Sequence, residues 1–281
     1  AGYGSDGSTF TVGISENNFK GEGINLNTKL SLTEQTVKGF FEYTHPNFAY
    51  SDRALSTSLE SSVTDKLNDF GYKSSLNKVS LGTSYEQYED TFFSPRLSIS
   101  SEELDTTSTA SAAYKKQEGS YFDTTFDYSL SYDKRNSAFQ PSSGFYSSWY
   151  QQLPIISENQ TIVNGYSITG YKEIADDMIV SSGIYSRAIN SLTNDDVRVS
   201  KRIFAPSARL RGFESGKVGP VDGADHIGGN YVVTFNTSST LPYILQTQEN
   251  MDLKLFFDAG NIWGVDYSNT LDDSNTIRTS T

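Results

Sequence analysis

The chain has 281 residues, a formal charge of -12 and no cysteine, which excludes a disulfide framework, thiolate metal sites and a cysteine nucleophile. An acidic balance with no basic run is the wrong sign for a phosphate-backbone partner, so no nucleic acid is expected. The two histidines, His45 and His226, lie far apart and read as loop residues, so no His-based metal or triad site is expected either.

The chain opens on the glycine-rich Ala1-Gly2-Tyr3-Gly4-Ser5-Asp6-Gly7. Ser8–Ser15 then alternates, with Phe10, Val12 and Ile14 on one face and Thr11, Gly13 and Ser15 on the other. A turn cluster at 17–23 leads to Ile24, Leu26, Leu30 and Leu32, which alternate with Asn25, Asn27, Lys29 and Ser31 to complete a hairpin. Val37, Phe41 and Tyr43, then Leu55, Leu59 and Val63, then Val79, Leu81 and Tyr85, then Leu97 and Ile99 repeat the pattern. Thr106–Ser120 is weakly patterned and reads as a strand around Tyr114.

Phe122, Phe126, Tyr128, Leu130 and Tyr132 alternate most cleanly, against Asp123, Thr125, Asp127, Ser129 and Ser131. A Pro- and Gly-bearing turn at 135–144 returns through Phe145, Trp149 and Leu153. Ile162–Lys172 and Met178–Arg187 follow, split by Ala175-Asp176-Asp177. Loop 190–226 is too long for a plain connector, and structureless loops beyond about 12–15 residues are commonly functional. It carries Arg209-Leu210-Arg211-Gly212-Phe213-Glu214-Ser215-Gly216-Lys217-Val218-Gly219-Pro220. Tyr231–Phe235 and the run Leu253–Asp258 are strands, a second loop covers 266–275, and Ile277–Thr281 reads as a strand cut short.

About thirteen segments of roughly 9–12 residues, with no helix among them, match tilted membrane-crossing strands. No run of about 18 apolar residues exists, which excludes a transmembrane helix and leaves a barrel untouched. The hydrophobic fraction is only 36%, with 18 Tyr and 17 Phe. A barrel needs only alternate residues to be apolar, and its aromatics can form interfacial girdles. A sandwich would have shorter strands and a more aliphatic core, and a solenoid would show a fixed period. The fold class is therefore all-β, a transmembrane antiparallel β-barrel. Single-chain bacterial barrels have an even strand number, so the chain is expected to be a fragment.

Several motifs resemble the barrel domain of the BamA family, the outer-membrane insertases among the bacterial surface antigens. They are Gly2-Tyr3-Gly4 with the turn at 17–23, Thr44-His45-Pro46-Asn47-Phe48, Tyr132-Asp133-Lys134-Arg135-Asn136 with Phe139–Gly144, Leu210-Arg211-Gly212-Phe213, Lys217–Pro220, Gly228-Gly229-Asn230 and Phe256-Phe257-Asp258-Ala259-Gly260. The resemblance covers nearly all of residues 1–281, read as one sixteen-stranded barrel domain truncated to thirteen or fourteen strands, with its periplasmic POTRA domains and closing strands missing.

That resemblance implies function without bond chemistry. Loop 190–226, the family's sixth extracellular loop, folds into the lumen. There Arg211 pairs with Asp258, Gly212 permits the close approach and Phe213 anchors the tip; Gly260 completes the wall motif. Alternation agrees, because Leu253, Leu255 and Phe257 on one face leave Lys254, Phe256 and Asp258 on the other. The strand Ser8–Ser15, with Phe10, Val12, Gly13 and Ile14, is taken as the first strand and the lateral seam where a client strand adds. Expected partners are unfolded outer-membrane protein clients, lipoprotein subunits of an assembly complex and outer-membrane lipid, in the bacterial outer membrane. No cofactor, nucleotide, metal or catalytic residue is expected. A two-partner-secretion or translocation pore of the same superfamily is the alternative. The sequons at Asn159 and Asn236 read as chance. Asp222–Asp225 and Asp272-Asp273 lack calcium-loop spacing. Glu102-Glu103 and Asp195-Asp196 read as solvated loop charges.

Overall fold

The computed structural model describes residues 2–4, 7–214, 216–223, 225–241, 253–267 and 278–280. Fourteen strands form one antiparallel sheet. It begins with β1 (Gly2–Gly4), β2 (Gly7–Phe19), β3 (Ile24–Leu32), β4 (Thr36–His45), β5 (Ala54–Lys66) and β6 (Tyr72–Tyr88). It continues with β7 (Thr91–Thr106), β8 (Gly119–Asp133), β9 (Ser143–Ser157), β10 (Thr161–Ala175) and β11 (Met178–Ser191). The long loop carries a small hairpin, β12 (Val221–Asp222) and β13 (Asp225–His226). The sheet then resumes with β14 (Tyr231–Leu241), β15 (Leu253–Trp263) and β16 (Arg278–Ser280). Each strand of the sheet pairs with the next in sequence, and among the described residues no pairing joins β16 to β1. No helix of the described residues is long and apolar enough to cross a membrane.

The period-2 pattern sorts the two faces. On the outside, Leu59 pairs with Val79 and Val79 with Ile99, while Leu81 pairs with Leu97 and Ile184 with Phe235; all of these are exposed. On the inside, Ser58, Ser74, Ser80 and Ser98 are buried, and Ser80 and Ser98 share a 3.0 Å hydrogen bond. An exposed apolar outer band over a polar inner wall is the inverse of a soluble domain, and it is what hydrocarbon outside and a wet lumen inside require. Outward aromatics link across four strands: Arg53 lies over Tyr85, Tyr85 meets Phe93, Phe93 meets Tyr128 and Tyr128 meets Trp149. This is the interfacial girdle that the Tyr and Phe content implied.

Four expectations change. From β2 to β11 the strands run from 9 residues in β3 to 17 in β6, beyond the expected range. The outward positions of the added turns are polar (Lys73, Ser75 and Asn77 on β6, Ser101, Glu103 and Asp105 on β7), so those ends stand above the apolar band. Between the end of β7 at Thr106 and the start of β8 at Gly119, the expected strand is absent. In its place is a loop with one helical turn, α2 (Ala112–Lys115), capped by Ser111, whose Tyr114 is buried and donates to the Phe70 carbonyl at 2.6 Å. A second helical turn, α1 (Leu67–Phe70), supplies that carbonyl. His45 ends β4 and His226 ends β13 rather than lying in open loops.

The fourth change concerns the seam. Ser8–Ser15 lies within the second strand, because Gly2–Gly4 occupies its outer edge through Gly2↔Thr9, Tyr3↔Ser8 and Gly4↔Gly7. Counting β1 as first makes β15 the thirteenth strand of the sheet and 192–230 the sixth connection at its end. Phe10, Val12 and Ile14 are exposed on the outer face of β2, one strand in from the edge. Gly13 is explained by packing, since a Cβ there would sit 2.9 Å from the Thr28 carbonyl oxygen of β3.

Connections do not divide cleanly into short and long ends. Residues 20–23, 46–53, 89–90, 134–142 and 176–177 lie at one end, and 33–35, 67–71, 107–118, 158–160 and 192–230 at the other. Only the last stands apart. The strand-like tail holds at Arg278–Ser280, while most of the second loop, Asp272-Asp273 included, lies outside the described residues.

The outer band makes a direct prediction. Leu81, near the middle of β6 and exposed, should tolerate no charge: Leu81→Arg should cost about 2–4 kcal/mol in urea unfolding from phospholipid vesicles. A cost near zero would place that face away from lipid.

Candidate functional site: a loop locked in the lumen

Leu253, Leu255 and Phe257 face outward and are exposed, so strand alternation turns Asp258 inward, where it has no solvent exposure. Loop 192–230 brings Arg211 to it. The Arg211 Nε donates to Asp258 Oδ2 at 2.7 Å, Nη2 donates to Oδ1 at 2.6 Å, and the Arg211 backbone N–H donates to Oδ2 at 3.0 Å. Asn236, opposite Asp258 on β14, donates to Oδ1 at 2.8 Å and to the Arg209 carbonyl at 2.6 Å. The guanidinium also stacks 3.9 Å from the Phe256 ring centroid. The geometry is bidentate, the strong form of a carboxylate–guanidinium pair. Hydrogen bonding to Asp258 holds the Arg211 guanidinium above its usual range.

The local backbone fits this docking. Gly212 has φ 83, a left-handed conformation that turns the chain straight after the pair. Gly260 lets β14 approach, since a Cβ there would lie 2.9 Å from the Val233 carbonyl oxygen. Phe213 is half-buried and packs on a cluster formed by Val163, Ile189, Val197, Ile203, Leu210, Val218, Val232 and Ile262. Around the loop tip the inner face is therefore apolar. A second cluster seats Val199 and Ile227 of the loop against Phe70, Tyr72, Leu104, Ala110 and Tyr114. The buried core of this protein lies between the loop and the inner wall.

A second ionic contact holds the start of the loop. Arg198, 1% exposed, donates through Nη1 to Glu102 Oε2 at 3.1 Å and through Nη2 to Asp123 Oδ2. Lys201 Nζ lies 2.9 Å from the same Asp123 oxygen. The other carboxylate oxygens accept from Ser74 Oγ at 2.7 Å and Ser157 Oγ at 2.5 Å. Burial, together with the neighbouring Arg198 charge, pushes the Lys201 ammonium down, against the pull of Asp123. Two cations meet two carboxylates, so the cluster is balanced, as burial demands.

The structure thus brings Arg211, Gly212, Phe213, Asp258 and Gly260 together and leaves Phe10, Val12, Gly13 and Ile14 on β2, away from them. Glu102 is corrected: it is no loop charge but a buried inward residue of β7, whereas Glu103 points out and is exposed. Asp195 is exposed as expected, and Asp196 is half-buried, its carbonyl accepting from Asn159 at 2.8 Å. Sequence reasoning missed Arg198 and Lys201. The available signal was Val197-Arg198-Val199 and Arg202-Ile203, apolar residues beside cations in a supposedly solvated loop. Among the described residues no cluster of three or more His, Cys, Asp or Glu could hold a metal. Asp258→Asn removes the charge and keeps the shape, so it should free the loop tip without unfolding the sheet. Trypsin should then cut after Arg209 or Arg211 in the folded protein; continued resistance would show that the pair does not hold the tip.

Residues 18–281 match the Omp85 superfamily domain. No curated protein matches the chain. Among solved structures, the fold is similar to BamA from Haemophilus ducreyi lacking POTRA domains 1-3, with TM-score 0.80 and 19% identity over 92% of this chain and 56% of that one. CdiB from Acinetobacter baumannii is similar at TM-score 0.55 and 12% identity over 91% and 46%. CdiB from Escherichia coli is similar at 0.50 and 11% over 98% and 60%. The chain spans about half the length of these solved proteins. Its fold is that of a truncated BamA-type barrel. With the family match running across both the sheet and the loop, the chain belongs to the Omp85 superfamily.

Proposed function

We propose that this barrel is an outer-membrane insertase that folds and inserts other outer-membrane proteins, without ATP and without bond chemistry of its own. The observation that carries the reading is the lock between Arg211 and the fully buried Asp258. It holds a loop with two apolar clusters inside the lumen, where an open diffusion pore would keep water. The likeness to BamA is also stronger than that to either CdiB. On this reading the client strand adds at the first strand, β1, rather than at β2 as the alternation alone suggested. Strand addition supplies backbone partners to a client whose unsatisfied groups would each cost several kcal/mol in lipid. Unfolded outer-membrane clients, accessory lipoproteins and outer-membrane lipid are the partners, and the bacterial outer membrane is the location.

A secretion or translocation pore is the second reading, favoured by the CdiB likenesses. The test uses the protein in phospholipid vesicles with a urea-denatured barrel client, whose folding is followed by its band shift on unheated gels. Faster folding than in empty vesicles is expected. Arg211→Ala should abolish the gain at equal abundance, while lowering stability by about 3 kcal/mol, the low end for losing a buried partner because Arg211 is itself partly exposed. No acceleration, with steady conductance across a planar bilayer, would replace the insertase reading by the pore.

A further inference from the structure

We infer that the loop is held by two anchors of unequal strength, and that Arg198 is a positioning residue fixing the loop to the β7–β8 wall while Arg211 is the releasable contact. The inference deepens the insertase reading and rests on it for its consequence, though its geometry does not. The Arg198 side chain is 1% exposed and the carboxylates it meets are 8% and 5% exposed. It also lies 4.1 Å over the Tyr121 ring. Its neighbour Val199 is tied to the same side, its N–H donating at 2.8 Å to Oε1 of Gln117, in the connection between β7 and β8. The contacts thus reach four strands, through Ser74 of β6, Glu102 of β7, Asp123 of β8 and Ser157 of β9.

Arg211 differs in exposure and in reach. Its side chain is 35% exposed, and its polar partner is one carboxylate on β15, steadied by Asn236 of β14. Water already reaches the Arg211 guanidinium, whereas Arg198 lies in a dry site. Parting at Arg211 leaves one buried carboxylate, Asp258, without its cation; parting at Arg198 takes the guanidinium from two, Glu102 and Asp123. Between β8 and β15 stand β9, β10, β11 and β14, so the loop bridges two distant parts of the sheet. A shift of β14–β15 against the rest therefore breaks at Arg211 first. The loop stays with the wall and Asp258 moves away from it.

The chain has no cysteine, so single introduced thiols report locally. Leu210→Cys reads the tip, where Leu210 is 2% exposed, and Ser200→Cys reads the entry limb, whose hydroxyl is buried. In the full-length protein in vesicles, Arg211→Ala should raise maleimide labelling at position 210 by more than about tenfold and leave position 200 protected, a fraction of what losing a buried ion partner permits. Arg198→Met, which keeps bulk, should raise labelling at both. Arg198→Lys should restore protection in part, because one ammonium can replace only one of the two contacts. Where Arg198→Met fails to give the band shift of a folded barrel, Glu102→Gln carries the same comparison. Labelling at both positions with Arg211→Ala, or at neither with the Arg198 or Glu102 variant, overturns the inference. Because labelling needs no client, a failure here is distinct from a failure to accelerate client folding.

Discussion

Asp258 has no solvent exposure, and an ionised carboxylate in that position cannot stand alone. The wall supplies one amide, from Asn236, and no cation. The cation arrives on a loop that leaves the sheet at β11 and rejoins it at β14. Sheet and loop are therefore one folding problem. The inner wall is incomplete until the loop is seated, and among its described residues the loop has no sheet pairing of its own beyond the β12–β13 hairpin and a bridge between Ile203 and Gly229.

The same dependence explains where the apolar core sits. A β-sheet whose outer face meets lipid gains little from burying that face against protein. Tertiary stability must come from the inner face, and there the loop contributes Val197, Val199, Ile203, Leu210, Val218 and Ile227 to the two clusters. At about 25 cal/mol per Å² of apolar surface removed from water, such residues offset the entropy of fixing a long connection. The two ion clusters then fix its register. They are poor sources of net stability, since desolvation offsets most of their attraction, but a misplaced loop would leave the buried carboxylates Glu102, Asp123 and Asp258 without their cations.

Strand identity and facing were legible because period 2 is a local property. Asp123 and Asp127 stand on the polar face of the clean alternation in β8, and Asp258 follows from Leu253, Leu255 and Phe257 in the same way. Asp258's partner was legible only through the Leu-Arg-Gly-Phe and Phe-x-Asp-x-Gly signatures. Arg198 had no signature, and its partner Glu102 is 96 positions away in sequence. Pairing across a lumen depends on how the whole sheet curls, which no window of sequence contains. The helical turn at 112–115 failed for a related reason: Tyr114 looks like a lone strand aromatic until Phe70 from another connection meets its hydroxyl.

The misplaced seam strand shows how a small error in counting moves a function. Gly2-Tyr3-Gly4 is too short to alternate, so periodicity began the sheet at Ser8. Gly2–Gly4 pairs with β2 from Gly2↔Thr9 to Gly4↔Gly7. Once β1 is the first strand, the elements up to β7 each gain one; the loss of 106–120 as a strand cancels the gain from β8 onward, so the Arg211 loop stays the sixth connection at its end and the Asp258 strand the thirteenth. Phe10, Val12 and Ile14 then need no special role. They are ordinary lipid-facing residues of β2, matched across β3 by Leu32, Leu30 and Thr28. Next to them at the edge of the sheet stands β1, joined to β2 through three described pairs.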